Sequence, residues 1–240
     1  MLDLFKVKKP ILAMLHLKGE SREEIVEIAL KEADIYFANG IDAVIVEDYF
    51  GDKEDVERVM AMLAKKRPEY CMGVNVLNDF PLSYELAVKY GAPFMQVDSI
   101  SSHLTLEDEK DYLQMVEGYR QDGKVKVIGG VRFKYQPYLS GRSLEEDLKV
   151  GMQHCDCIAV TGAGTGLDTG TDKLREFRQI VGDFPLVVAA GMTLETLEEK
   201  MSIADMAIVG STFKDSRKDK GDVSAEHVKE FTDEVKRLFR

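Results

Sequence analysis

Six polar residues each close an apolar run at a comparable place in the chain: His16, Glu47, Asn75, Asp98, Arg132 and Thr161. Their types make a set that can move protons on a small molecule. Glu47 or Asp98 can serve as base, and the imidazole of His16 as acid or proton shuttle. Arg132 can hold a developing enolate or a second anionic group, and Asn75 can orient the substrate. No cofactor is required for such chemistry and no metal ligands are assigned. Glu47, Asn75 and Asp98 do offer hard oxygens, so a magnesium-dependent variant stays open.

A second group of residues points to an anion. The stretch VVAAGMTLETL, residues 187–197, stops its apolar run at Gly191 and passes straight into a helix-like segment. ADMAIVGSTFK, residues 204–214, does the same at Gly210, Ser211 and Thr212, with Lys214 as a nearby charge. A glycine lets a ligand approach the backbone, and amides at a helix start attract phosphate. A third segment, 161–170, places four glycines within residues 162–170. Thr161 and Gly162 open it and are assigned to the substrate. It lacks the lysine of a P-loop and an acidic residue placed as in a dinucleotide fold, so nucleotide binding does not follow from it.

These residues need a frame, and the chain supplies a regular alternation. Apolar strand-like runs at 10–17, 41–48, 72–77, 93–98, 124–133, 157–161, 185–190 and 206–210 are each followed by a helical segment. The helices are expected at 21–39, 53–66, 81–90, 107–120, 143–154, 171–181, 193–201 and 224–238. Ser21-Arg-Glu-Glu24 fits a capping box, and Gly91 is a helix stop. Near-continuous apolar strands separated by amphipathic helices imply a parallel sheet covered by helices. Eight such units in 240 residues predict a single (β/α)8 TIM barrel over 1–240, with no linker to divide it.

In that fold, function collects at the carboxyl ends of the strands, and alternate strand residues point inward. Met14 and His16 share one parity, as do Ala43, Ile45 and Glu47; Gly73 and Asn75; Phe94, Gln96 and Asp98; Ile128, Gly130 and Arg132; Ala159 and Thr161. One choice of parity brings all six polar residues to one mouth. Structural readings compete with this one. His16 can be a satisfied core histidine, Glu47 and Arg132 a structural ion pair, Asn75 a loop bridge and Asp98 a cap. The glycines can simply relieve crowding at strand ends.

The bulk properties narrow the partners. A formal charge of −11 argues against nonspecific nucleic-acid binding. No apolar run reaches the roughly 18–20 residues of a membrane span, so no direct membrane insertion is expected. The N-terminal MLDLFKVKKPILAML faintly resembles a signal peptide, but His16, Lys18 and Glu20 follow at once, and a buried first strand is the better reading. Cys71, Cys155 and Cys157 lack disulfide spacing, which suits reduced thiols and a cytoplasmic setting. A homo-oligomer is in keeping with such barrels.

The segments Lys9–Leu17, Asn39–Asp48, Gly73–Asn78, Val160–Gly166 and Ala207–Lys214 together resemble the BtpA/SgcQ family of barrel proteins. They recur in order over nearly the whole chain. The resemblance implies a barrel of the ribulose-phosphate-binding type; the family's name comes from a role in photosystem I biogenesis. Two features depart from the family pattern, the short Leu17-Lys18-Gly19 segment after His16 and the polar stretch 168–171. Both flank the expected mouth. The leading expectation is an isomerase or lyase acting by general acid–base chemistry on a phosphorylated, sugar-like metabolite. The alternative is a noncatalytic assembly or regulatory factor that binds a phosphorylated ligand. A Schiff-base enzyme is less favoured, because no lysine stands at an inward strand position; Lys134 lies just past the fifth strand.

Overall fold

The computed structural model describes residues 1–240. Strands β1 (Ile11–Leu15), β2 (Ala43–Glu47), β3 (Met72–Asn75) and β4 (Phe94–Ser101) alternate with helices α1 (Arg22–Ala38), α2 (Lys53–Lys66), α3 (Phe80–Tyr90) and α4 (Leu106–Arg120). Strands β5 (Lys126–Val131), β6 (Cys157–Val160), β7 (Leu186–Ala189) and β8 (Met206–Val209) alternate with α5 (Leu144–His154), α6 (Thr171–Val181), α7 (Leu194–Ile203) and α8 (Ala225–Phe239). The strands pair in sequence order, all parallel, and β8 returns to β1 through Ile11 opposite Ala207, so the barrel is closed. Closure leaves no sheet edge unpaired.

The parity read from the sequence is the parity of the core. Leu12, Met14, Ala43, Ile45, Phe94, Ile128, Ala159, Val187, Ala189 and Ile208 fill the barrel interior. Their neighbours Ala13, Val44, Val46, Met95, Val127, Val160 and Val188 belong to the larger layer between strands and helices. A short 3-10 turn at Leu2–Leu4 precedes β1, and the buried Met1 packs into the inner layer. No sequence pattern signals that plug.

Helix boundaries follow their caps. Ser143 accepts from the Glu146 amide and Glu146 reaches back to the Ser143 amide, a full capping box. At Ser21 the box is only half made, because the Glu24 carboxylate accepts from the Glu20 amide instead. Gly91 closes α3 in the left-handed region, as expected.

One strand departs from regularity in a way that shapes the site. β4 runs on to Ser101, and its register against β5 shifts between Val97 and Ser101. The bulged backbone presses on β5: a Cβ at Gly130 would lie 2.0 Å from the Asp98 carbonyl oxygen, so only glycine fits there.

Candidate functional site

At the carboxyl ends of the strands lies a cavity of about 320 Å³. Its lining includes His16, Glu47, Gln96 and Lys134 together with Gly191, Gly210, Ser211 and Thr212, and Gly210 lies against the His16 ring, where an added Cβ would stand 3.2 Å from Cε1. The proton-handling residues and the proposed anion cup thus share one chamber.

The acid end is a hydrogen-bonded cluster. Asn75 Nδ2 donates to Glu47 Oε1 at 2.8 Å and to Asp98 Oδ1 at 3.0 Å, and Gln96 Nε2 approaches the same Asp98 oxygen at 3.4 Å. His16 Nε2 lies 3.7 Å from Glu47 Oε2, and its ring is held between Tyr49 and Phe50, with centroids 5.0 and 6.0 Å away. Three buried polar atoms of this cluster have no protein partner: His16 Nδ1, Asn75 Oδ1 and Gln96 Oε1. A folded chain rarely leaves such atoms unpaired unless something else completes them.

Burial sets the protonation of the cluster. It pushes the Glu47 carboxyl up to about 8, and the neighbouring Asp98 adds to the effect. Asp98 is raised as well, again chiefly by burial. The two carboxyls joined through Asn75 therefore tend to hold a proton between them near neutral pH. His16 moves the other way, down to about 3, first through burial and then through the charges of Lys214 and Lys134. By separation alone His16 and Glu47 would pass for an ion pair. Desolvation of both groups, with cations facing the imidazole, makes them a neutral pair instead.

The cup is built from two strand exits. The backbone amides of Gly191, Met192 and Gly210 donate to no protein group. Ser211–Phe213 forms a 3-10 turn after β8, and its first amides have no acceptor within it. The Thr212 hydroxyl is tied to the Met192 carbonyl, which clamps the two exits together, so Thr212 contributes backbone and not a free hydroxyl. Gly191 has φ 61°, and a Cβ there would come within 2.4 Å of the Leu167 carbonyl oxygen. The glycine-rich segment 161–170 is packed directly on the cup, stapled by Lys200, which reaches Asp168 and the Gly191 carbonyl.

Several assignments need correction. Arg132 does not face the cavity. Its φ is 47°, and its guanidinium donates to Asp147 at 2.9 Å and to the Arg142 carbonyl at 2.7 Å, on the helix side of β5. The strand alternation ends at Gly130, and the turn at Arg132 sends Phe133 and Lys134 into the cavity in its place. Thr161 is fully buried and accepts from the Lys134 amide at 2.8 Å, so it positions the loop and lines nothing. Gly162 is likewise off the cavity wall, against the Asp168 carbonyl. Asn75 and Asp98 do not line the cavity themselves and reach it through Glu47 and Gln96. Lys214 is buried and pairs with Glu32 at 2.8 Å, away from the cup. The basic residue that does line the cup is Arg217, which donates to the Thr212 carbonyl. No periodicity marks that loop residue in the sequence. Lys134 is visible there only as a lysine just beyond a strand.

No three His, Cys, Asp or Glu side chains gather in a metal-binding group. At the acid cluster Asn75 turns its NH2, not its oxygen, towards both carboxyls. No helix is long and apolar enough to cross a membrane.

Fold and site together define a (β/α)8 barrel with an acid–carboxamide cluster and a glycine cup at its strand ends. The BtpA family model matches residues 7–237, and the chain belongs to that family. It is 27% identical to an uncharacterized protein of Methanocaldococcus jannaschii over 99% of both chains. It is 25% identical to the putative sgc region protein SgcQ of Escherichia coli, over 99% of this chain and 98% of that one. The photosystem I biogenesis protein BtpA of Synechocystis is 22% identical, over 88% and 82%. Among solved structures, thiamine phosphate pyrophosphorylase from Pyrococcus furiosus superposes with TM-score 0.63 at 15% identity, covering 98% of each chain. Phosphoribosyl anthranilate isomerase from Thermus thermophilus gives 0.61 at 14%, over 95% and 99%. Likeness at that level of identity speaks to fold.

Proposed function

We propose that this barrel binds a phosphorylated small metabolite and moves a proton on its carbon skeleton, as an isomerase or lyase working by general acid–base chemistry. One observation carries the reading: Glu47, bridged to Asp98 by Asn75 and raised with it by burial, stands in the same chamber as a cup of free backbone amides. Phosphate would sit against the amides of Gly191, Gly210 and Ser211, with Arg217 supplying charge. Support also comes from two barrels of like fold whose names refer to phosphorylated compounds, thiamine phosphate pyrophosphorylase and phosphoribosyl anthranilate isomerase.

The roles follow from protonation. Glu47 is the protonated member of the pair at neutral pH and can give a proton to a substrate oxygen. The pair of carboxyls joined through Asn75 can take up the proton released, reaching the cavity through Glu47. Neutral His16 can relay a proton through its unpartnered Nδ1 and Nε2. Asn75 keeps the two carboxyls in register. Groups positioned in this way contribute about 10²–10⁴-fold each.

The test begins with a thermal-shift screen against sugar phosphates and inorganic phosphate, with and without magnesium. A ligand at a hundredfold excess over its Kd stabilises by about 2.7 kcal/mol, which such a screen resolves. Any compound that binds is then incubated in D2O, and deuterium incorporation at carbon is followed by NMR for native protein, Glu47→Gln and Asp98→Asn. Incorporation by native protein, lost in either variant, supports the enzyme. Binding without exchange under any condition removes it. That outcome would favour the second reading, a noncatalytic factor governed by a phosphorylated ligand, which the relative named for photosystem I biogenesis brings forward.

A further inference from the structure

We propose that Lys134 captures the carbonyl carbon of the substrate as an imine, so that the substrate class is phosphorylated aldehydes and ketones. This rests on the proton-transfer reading above and names the group that would act as its electron sink.

The placement of Lys134 is the first observation. The turn at Arg132 carries the chain off β5 and into the cavity, and the Thr161 hydroxyl accepts from the Lys134 amide, fixing where the side chain starts. Lys134 is the one lysine on the cavity wall, in the same lining as Glu47 and Gln96.

The second observation is its partner. Lys134 Nζ donates to the hydroxyl of Thr165 at 2.9 Å, and no carboxylate forms an ion pair with it. Of the other lysines near this end of the barrel, Lys18 pairs with Asp222, Lys200 with Asp168 and Lys214 with Glu32, while Lys173, bonded to the Thr161 carbonyl, and Lys220, over the Phe50 ring, stand off the cavity wall. An amine locked against a carboxylate is tethered by that bond, whereas one held only by a neutral hydroxyl is free to swing to a carbonyl carbon in the cavity. The two carboxyls that feel the charge of Lys134 are Glu47 and Asp98.

The step balances with the groups present. The singly protonated Glu47–Asp98 pair, which reaches the cavity through Glu47, accepts a proton from the Lys134 ammonium. The free amine attacks the carbonyl carbon and a C–N bond forms, while Glu47 protonates the carbonyl oxygen. Loss of that oxygen as water leaves a protonated imine. Ammonium plus carbonyl has become iminium plus water, with no oxidant or further reactant. The iminium then withdraws electrons from the adjacent carbon, whose proton a carboxylate of the pair removes.

Borohydride trapping tests this directly. Native protein and Lys134→Arg are incubated separately with ribose 5-phosphate and with dihydroxyacetone phosphate, reduced with sodium borohydride, digested and weighed by mass spectrometry. The expected result is one adduct of the reduced sugar phosphate on the peptide carrying Lys134, suppressed by inorganic phosphate. The arginine variant keeps the charge, still binds the compound by thermal shift, and gives no adduct. Binding by native protein without an adduct at Lys134 overturns the proposal and leaves the parent reading standing. So does labelling spread evenly over exposed lysines such as Lys53. If neither compound, nor a wider set of phosphorylated aldehydes and ketones, shifts the melting of native protein, the phosphate reading itself falls and the imine with it.

Discussion

His16 Nε2 and Glu47 Oε2 lie 3.7 Å apart, and burial drives their protonation in opposite directions, the imidazole down to about 3 and the carboxyl up to about 8. At neutral pH the pair is an uncharged base beside an uncharged acid. That arrangement keeps a transferable proton on the carboxyl, where an ion pair would already have passed it on. Its cost is borne by the rest of the barrel.

The sign of that cost gives a pH test. Glu47 binds its proton more tightly folded than unfolded, so its contribution to stability falls as pH rises from about 4.5 to about 8. His16 binds its proton less tightly folded, so its contribution is lost as pH falls from about 6.5 towards 3. The two slopes oppose one another at mildly acidic pH, and above pH 6.5 the carboxyl slope stands alone. Urea midpoints should show native protein losing about 1–2 kcal/mol between pH 6.5 and 8.5, because each tenfold difference in proton affinity is worth about 1.4 kcal/mol. Glu47→Gln should flatten this decline. A native midpoint that rises over the interval would exclude a raised carboxyl.

Glu47→Gln also separates binding from chemistry. The amide keeps the size and can still accept from Asn75, but it cannot give up a proton. Carbon–hydrogen exchange should drop by at least about 10²-fold, while affinity for the phosphorylated probe changes by no more than a few-fold. Equal losses in both would place Glu47 in binding alone.

The cup is tested at Gly191. A side chain there must enter space held by the Leu167 carbonyl and adopt φ 61°, so Gly191→Val should displace the 161–170 segment and weaken phosphate binding at least tenfold. Gly170→Ala is the control on the same segment, because a Cβ there meets nothing within 4 Å. Calorimetric titration with inorganic phosphate reads both. Similar affinity in the two variants would move the anion elsewhere.

Arg132 should behave as a structural residue. Its partner Asp147 has 0% side-chain exposure, and removing one member of such a pair strands the other. Arg142 lies 3.6 Å from the same carboxylate and softens the loss. Arg132→Met should therefore destabilise by about 1–3 kcal/mol in urea melts, with ligand affinity and exchange rate per folded molecule unchanged. A loss of exchange at unchanged stability would return Arg132 to the site.

What the sequence determined by itself is the frame and one face of it. Apolar runs of strand length, amphipathic helices between them and capping residues such as Ser143 are local signals, and local signals are enough to order the strands and helices of a barrel. Period-two alternation then put His16, Glu47, Asn75 and Asp98 on a common side, because side-chain parity survives folding wherever a strand stays regular. It failed at Arg132 because β5 ends at Val131 and the chain turns there with a positive φ. The bulge in β4 against Gly130 and the positive φ at residue 132 are consequences of neighbouring strands packing, and nothing local announces them. Tertiary structure alone decided that Lys134 and Arg217 face the cavity while Lys214 does not, since each answer depends on which carboxylate or carbonyl the fold brings near. It alone decided the protonation of the acid cluster as well. A pKa near 8 for Glu47 comes from removing water and bringing Asp98 close, and both are properties of residues far apart in the chain.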